Sequence, residues 1–251
     1  MKTVLITGCS SGFGLETAKY FLEHDWNVIA TMRTPRDEIL PQSKHLRVLA
    51  LDVTNADSIR NAVEAAGPID VLVNNAGIGW LNALEGTSMD LARDIFETNT
   101  IGTMAMTQAV LPQFRQRKEG VIVNVTSSVT LKPLHLLSVY TASKAAVNAF
   151  SEVLALELEP FNIRVRTVLP GRAPDTRFGE TAQSRIKAAG GFPDAYAELV
   201  QGVFANWAQQ PSTGVTLSVD VAEAVWRAAT DPSCPPRLAA GADAAALFAQ
   251  S

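Results

Sequence analysis

Tyr140 and Lys144 stand four residues apart in the run Tyr140-Thr141-Ala142-Ser143-Lys144. On a helix that spacing puts both side chains on one face, with Cβ atoms roughly 6 Å apart. A free phenol has a pKa of about 10 and is a poor base at neutral pH. Lowering it by three units takes about 4 kcal/mol, which one nearby cation in a low-dielectric site approaches. So placed, the pair suits proton transfer at a carbonyl or alcohol oxygen. Taken alone, a Tyr–Lys pair is usually a solvated helix face, so its meaning depends on its neighbours. Ser127 ends an apolar run thirteen residues before Tyr140, where its hydroxyl would hold a substrate oxygen near the phenol. Ordinary turn chemistry by Ser127 and Ser128 is the competing reading. Asn99 falls inside a helical stretch in which asparagine is a mediocre helix former. It either diverts a backbone carbonyl to a water or is simply exposed.

A second constellation is the turn Thr7-Gly8-Cys9-Ser10-Ser11-Gly12-Phe13-Gly14. It follows an apolar strand and opens a helix, where glycines permit a tight turn and let backbone N–H groups approach a pyrophosphate. The spacing is GxxxGxG rather than GxGxxG. Gly8-Cys9-Ser10-Ser11-Gly12 also fits G-x-S-x-G, which would make Ser10 the nucleophile of an α/β-hydrolase. That elbow requires earlier strands, and only seven residues precede Gly8. At the end of the second strand, where a carboxylate would bond a ribose 2′-hydroxyl, stand Met32 and Arg33. A guanidinium suits a 2′-phosphate and no carboxylate repels one there. This favours NADP(H) over NAD(H). Ser11 adds no second positive charge, and Arg33 as a solvated strand-end residue is the alternative.

These groups must be positioned by an α/β framework. Short apolar runs at Val4–Thr7, Asn27–Thr31, Arg47–Leu51, Ile69–Val73, Gly120–Thr126 and Ile163–Leu169 read as strands buried on both faces. Helical stretches at 13–23, 55–66, 88–117 and 139–159 alternate with them, predicting a doubly wound parallel sheet with right-handed crossovers. Thr54-x-x-Asp57 and Thr87-x-x-Asp90 read as capping boxes that start two of these helices. After Pro170-Gly171 the rhythm breaks. Residues 172–213 carry Gly179, Gly190-Gly191, Pro193, Gly202 and Pro211 among Phe178, Phe192, Tyr196, Phe204 and Trp207. They read either as an irregular satellite of short helices or as a substrate-binding lid with an aromatic lining. Val219–Thr230 then reads as a helix and Arg237–Ala240 as a last strand.

Composition narrows the function classes. At 251 residues the chain suits one large α/β domain spanning 1–251, and 47% hydrophobic residues exclude a disordered chain. A net charge of −4 argues against nucleic acid or an anionic membrane as partner. Cys9, Cys234 and three scattered histidines offer neither a disulfide framework nor a metal site. Cys9 reads as a buried small side chain, and His135 as either pocket-lining or surface. Arg115-Gln116-Arg117-Lys118 reads as a helix C-terminus that complements its dipole. The sequon at Asn124 lies in an apolar strand and reads as chance. No run reaches 18 apolar residues and no leader is visible, so the expected compartment is the cytoplasm.

Taken in order, Thr7–Gly14, Asp52-Val53, Asn74-Asn75-Ala76-Gly77, Asn99, Ser127, Tyr140-x-x-x-Lys144 and Pro170-Gly171 resemble the short-chain dehydrogenase/reductase family over roughly residues 3–171. The resemblance implies a single Rossmann-type domain and a hydride transfer between NADP(H), or NAD(H), and a small carbonyl or alcohol substrate. It implies Tyr140 as general acid/base, Ser127 polarising the substrate oxygen, and Lys144 binding the nicotinamide ribose while lowering the Tyr140 pKa. Asn99 would hold a water of a proton relay. Asp52 and Val53 would sit by the adenine, Asn75, Ala76 and Gly77 would line the cofactor floor, and Pro170 and Gly171 would flank the nicotinamide. Asn74 would tie neighbouring strands together. One departure is Asp175, four residues after Gly171, where the family often has Thr; Thr176 comes one place late. Pairing of the helices 88–117 and 139–159 into homodimers or homotetramers is implied as well. The aromatics of 172–213 suggest an apolar compound. A nucleotide-sensing protein without turnover is the reading from another class, against which the intact Ser127, Tyr140 and Lys144 argue.

Overall fold

Seven strands form one parallel sheet: β1 (Thr3–Ile6), β2 (Asn27–Met32), β3 (Leu46–Ala50), β4 (Val71–Asn74), β5 (Gly120–Val125), β6 (Ile163–Pro170) and β7 (Arg237–Ala240). The computed structural model describes residues 1–176, 178–209 and 214–250. Strand order is β3-β2-β1-β4-β5-β6-β7, every pair parallel. The order reverses beside β1, and open α/β sheets place ligands at the carboxyl ends of the strands flanking such a switch point. The continuous apolar runs follow from burial on both faces. Val4 and Ile6 face a core under α1 (Gly12–Glu23) and α8 (Ser218–Thr230), built around Phe21, Val28 and Val225. Leu5 faces the opposite core, with Phe114, Met106, Ile122 and Leu154.

That second layer holds α2 (Ala56–Ala66), α3 (Met89–Phe96), α4 (Gly102–Arg117) and α5 (Ser138–Leu158). Three features of it differ from the sequence reading. The helix expected over 88–117 is divided by one wide turn at Glu97–Ile101, with Asn99 inside it. A Cβ on Gly102 would lie 2.8 Å from Val53 Cγ2, so the backbone there packs directly on β3's loop. The capping boxes are displaced by one residue: Asn55 accepts from Ser58 N at 2.8 Å and Ser88 from Leu91 N at 3.2 Å. Thr54 and Thr87 instead bond Asp52 Oδ1 and Ala83 O. β5 ends at Val125, so Ser127 begins a short 3-10 turn at Ser128–Thr130 and accepts from Val129 N at 3.3 Å.

Between the two helical layers runs a buried polar ladder. Asn74 Nδ2 donates to Asn124 Oδ1 at 2.9 Å and to Thr107 Oγ1 at 3.1 Å. Asn124 Nδ2 donates to Ser151 Oγ at 2.8 Å. Asn74 thus ties β4 to β5 as expected, and the chain of contacts reaches α4 and α5. Arg117 closes α4 by donating to Ile69 O and Gln113 Oε1, in line with a helix terminus rather than an anion site.

The region after β6 is more regular than its glycines suggested. It contains α6 (Phe178–Ala188) and α7 (Ala197–Gln209), then α8, β7 and a last helix α9 (Ala242–Phe248). Gly190-Gly191 and Pro193 punctuate the gap between α6 and α7. Ile186, Phe192, Val203 and Trp207 from this region pack with Trp80, Leu136, Val139 and Tyr140 in a third apolar cluster. Pro211 lies outside the described residues. No helix among the described residues is long and apolar enough to cross a membrane.

Candidate active site

The carboxyl ends of β1 to β5 border a groove of about 700 Å³. The glycine turn forms one wall, where Gly8, Ser10, Ser11, Gly12 and Phe13 line it. Gly8 and Gly12 adopt φ of +76° and +55°, a region favouring glycine. A Cβ on Gly8 would lie 2.8 Å from Ala76 Cα, and one on Gly14 would lie 2.4 Å from Gly8 O. Gly14 therefore packs the turn and does not line the groove. α1 starts without a side-chain cap on Ser11, leaving its first N–H groups for an anion in the groove. Thr7 Oγ1 accepts from Asn75 N at 3.0 Å and Ala76 N at 2.9 Å, fixing the floor formed by Asn75, Ala76 and Gly77.

Arg33, Asp52 and Val53 border the end of the groove beside β2 and β3. Two hydrogen bonds from Thr54 hold the Asp52 carboxyl below the usual carboxylate range, with burial opposing and the Arg33 charge helping less. Arg36, which the sequence did not single out, donates from Nη2 to Ser10 O at 2.7 Å. It brings a second guanidinium to the turn, which Ser11 does not supply.

Tyr140 and Lys144 line the opposite end, and neither is a solvated helix residue: they are 7% and 5% exposed. The Tyr140 phenol is pushed up to about 12 by burial, with a hydrogen bond involving Ser127 acting the other way. Lys144 Nζ donates to Val125 O at 3.1 Å, and burial pulls this amine down to about 8. Drawn towards neutrality, the Lys144 cation aids the phenol less than the i, i+4 spacing suggests. Asn99 is 0% exposed, which excludes the exposed alternative. Its amide is held by protein groups: Oδ1 accepts from Ile78 N at 2.8 Å, and Nδ2 donates to Ile78 O and Ser143 Oγ. A Cβ on Gly77 would lie 3.3 Å from both Asn99 Oδ1 and Lys144 Nζ, so this glycine provides the space between them.

Ser143, absent from the sequence-based set, is legible in hindsight because it lies three residues after Tyr140 on the same helix face. Pro170 ends β6 and Gly171 follows it, both outside the groove lining. Thr176, in contrast, lines the groove despite its late position, and Asp175 accepts from Ser218 N at 2.8 Å. Thr181 and Arg185, one turn apart on α6, also line it. Cys9 is fully buried and its thiol is pushed up to about 12, which suits packing rather than reactivity. His135 is exposed and away from the groove. No group of three or more metal-ligating side chains occurs among the described residues. The cradle fits a dinucleotide: anion-accepting amides lie at one place, a guanidinium at one end and a phenol–amine pair at the other.

Comparisons with known proteins agree with this geometry. Residues 2–186 match the family model of the short chain dehydrogenases. Retinol dehydrogenase 8 of Bos taurus is 36% identical over 245 residues, covering 88% of this chain and 77% of that protein. The 3-ketodihydrosphingosine reductase of Bacteroides thetaiotaomicron is 40% identical over 199 residues, covering 78% and 71%. A short-chain dehydrogenase from Streptomyces avermitilis superposes with a TM-score of 0.80 at 32% identity, covering 100% and 92%. A serine dehydrogenase in complex with NADP+ superposes at 0.79 with 29% identity, covering 95% and 94%. The chain belongs to the short-chain dehydrogenase/reductase family and is an NAD(P)-dependent oxidoreductase acting at alcohol and carbonyl groups.

Proposed function

We propose that the protein is an NADP(H)-preferring oxidoreductase that interconverts an apolar ketone or aldehyde and its alcohol, with Tyr140 as general acid/base. The observation that carries this reading is the buried pair Tyr140 and Lys144 at one end of the groove, with buried Ser127 hydrogen-bonded to the phenol, the α1 amides along one wall and Arg33 at the other end. The nicotinamide supplies or accepts the hydride. Tyr140 exchanges a proton with the substrate oxygen, and Ser127 holds that oxygen beside the phenol. Lys144, fixed by Val125 O, binds the ribose, and Asn99 supports the amine's surroundings across Gly77. Asp52 and Val53 would border the adenine, and Pro170-Gly171, outside the groove lining itself, would reach the nicotinamide only through the segment that follows them.

Arg33 at the end of the groove, with the Arg36 guanidinium nearby on Ser10 O, supports a 2′-phosphate, as does the NADP+ complex of a structural relative. Residues 172–213, of which 177 and 210–213 lie outside the described residues, act as a substrate lid. The apolar cluster around Tyr140 supports an apolar substrate, and so do relatives named for retinol and for 3-ketodihydrosphingosine. The exposed Val153 and Leu156 of α5, at 57% and 71%, support pairing of two copies through this helix.

The test is a fluorescence titration with NADPH and NADH, followed by a panel of apolar carbonyl compounds. NADPH should bind more tightly, and Tyr140→Phe should lower turnover by about 10²–10⁴-fold while binding NADPH like the wild type. Turnover by Tyr140→Phe at the wild-type rate would refute the role of the phenol. Binding of NADH alone would move the preference to NAD(H). Binding with no turnover of any carbonyl compound would favour a nucleotide sensor.

A further inference from the structure

The chain leaves the sheet after β6 and returns at Thr216, just before α8. We infer that Thr216 and Asp243 are positioning residues that clasp the two stems of this excursion and so hold Pro170-Gly171 and the lid in register with the groove. The functional half of the inference rests on the nucleotide reading above.

Three chain segments meet at one fully buried hydroxyl. Thr216 Oγ1 accepts from Gly171 N at 2.9 Å and lies 2.6 Å from Asp243 Oδ1 and 2.8 Å from Ala240 O, which share its proton. Asp243 Oδ2 accepts from Arg172 N at 2.7 Å, and Oδ1 also accepts from Ala244 N at 3.0 Å. Thr216 N closes the stem by donating to Arg172 O at 3.1 Å. Two glycines leave room for the arrangement. A Cβ on Gly171 would lie 2.1 Å from Asp243 Oδ1, and one on Gly241 would lie 2.1 Å from Thr216 Oγ1.

The residue types are specific to the task. Each carboxylate oxygen of Asp243 receives a backbone N–H, so an amide in its place must turn an NH₂ group towards one of these donors. The Thr216 hydroxyl accepts and donates at once, which valine cannot do. The clasp grips Gly171 and Arg172, where the strand end passes into the lid whose Thr176, Thr181 and Arg185 line the groove. Both clasp residues lie beyond residue 186, where the family match ends.

The experiment compares Asp243→Asn, Thr216→Val and Thr216→Ser with the wild type by timed trypsin digestion, scoring cleavage at Arg185 and Lys187 of α6 by mass spectrometry. NADPH affinity and kcat/KM with an apolar carbonyl compound are measured in parallel. Asp243→Asn and Thr216→Val should raise cleavage on α6 and lower kcat/KM, each by about tenfold. The NADPH Kd should rise by less than kcat/KM falls, because the lid supplies only part of the groove lining, and Thr216→Ser should behave as the wild type. Cleavage and kcat/KM within twofold of wild type in both disabling variants would overturn the clasp, as would equal acceleration at sites throughout the chain. If wild-type protein bound neither NADPH nor NADH, the positioning of a nicotinamide site would be overturned, and the digestion would still decide the clasp.

Discussion

The buried amine of Lys144 makes a stability prediction that needs no substrate. Its pKa falls from 10.5 to about 8 because the folded protein takes the cation out of water. At pH 7 the folded chain keeps that proton at a cost of about 3 kcal/mol relative to the unfolded chain. Between pH 8 and 10.5 the unfolded chain binds more protons at this site than the folded one. Stability from Lys144 therefore rises with pH through that window. Lys144→Met removes the effect. It also removes the hydrogen bond to Val125 O, so a comparison at one pH mixes two changes, whereas the change between two pH values isolates the titration. From pH 7 to pH 9.5 the wild type should gain about 2 kcal/mol on Lys144→Met, equivalent to about 4–8 °C in Tm at this chain length. Tyr140, with its pKa raised to about 12, loses stability only as pH rises above 10, and does so in both proteins. The assay is urea unfolding of both proteins at the two pH values, followed by circular dichroism. A difference that stays constant, or that moves in favour of Lys144→Met, would show that the amine is not desolvated and would refute the reasoning.

Other substitutions probe the rest of the site. Arg33→Ala should weaken NADPH by about tenfold, the scale of one charge-assisted hydrogen bond, and leave NADH within twofold in the same titration. Gly77→Ala places a methyl 3.3 Å from Asn99 Oδ1 and Lys144 Nζ, so those groups must shift by a few tenths of an ångström. Its kcat should fall by about threefold to tenfold with Tm nearly unchanged in a thermal scan. Leu156→Glu puts a charge on the exposed apolar face of α5, and size-exclusion chromatography with light scattering should show a shift to monomer.

Much of this was legible because two periodicities are strong. Runs such as Val28 to Ala30 and Val71 to Val73 are apolar at every position since the sheet is covered on both sides, and that pattern places the strands within a residue or two. Tyr140, Lys144 and Ser127 could be grouped because helix spacing and strand ends give direct geometry. The wide turn at Asn99 could not be read, since Glu97 to Ile101 carry no proline or glycine to mark it, and the packing beside it, Gly102 against Val53, joins residues far apart in sequence. The caps were misplaced because Thr54-Asn55 and Thr87-Ser88 each offer two adjacent candidates, and only the tertiary bonds of the threonines decide between them. Arg36, Thr216 and Asp243 act chiefly through partners 24 or more positions away, and no local pattern announces them.

The ladder of Asn74, Thr107, Asn124 and Ser151 also bears on how the sheet assembles. Apolar β4 and β5 would pair almost equally well after slipping by one residue, because valine and isoleucine tolerate either alignment. Two asparagines facing each other at matched positions remove that tolerance. A slip would separate their amides and strand them in the interior, at about 1–3 kcal/mol for each unpaired group. It would also carry Ser127, which follows β5, about 3.3 Å along the strand axis relative to the floor that follows β4. Polar side chains in the driest layer thus fix the one strand alignment on which the spacing of the groove depends.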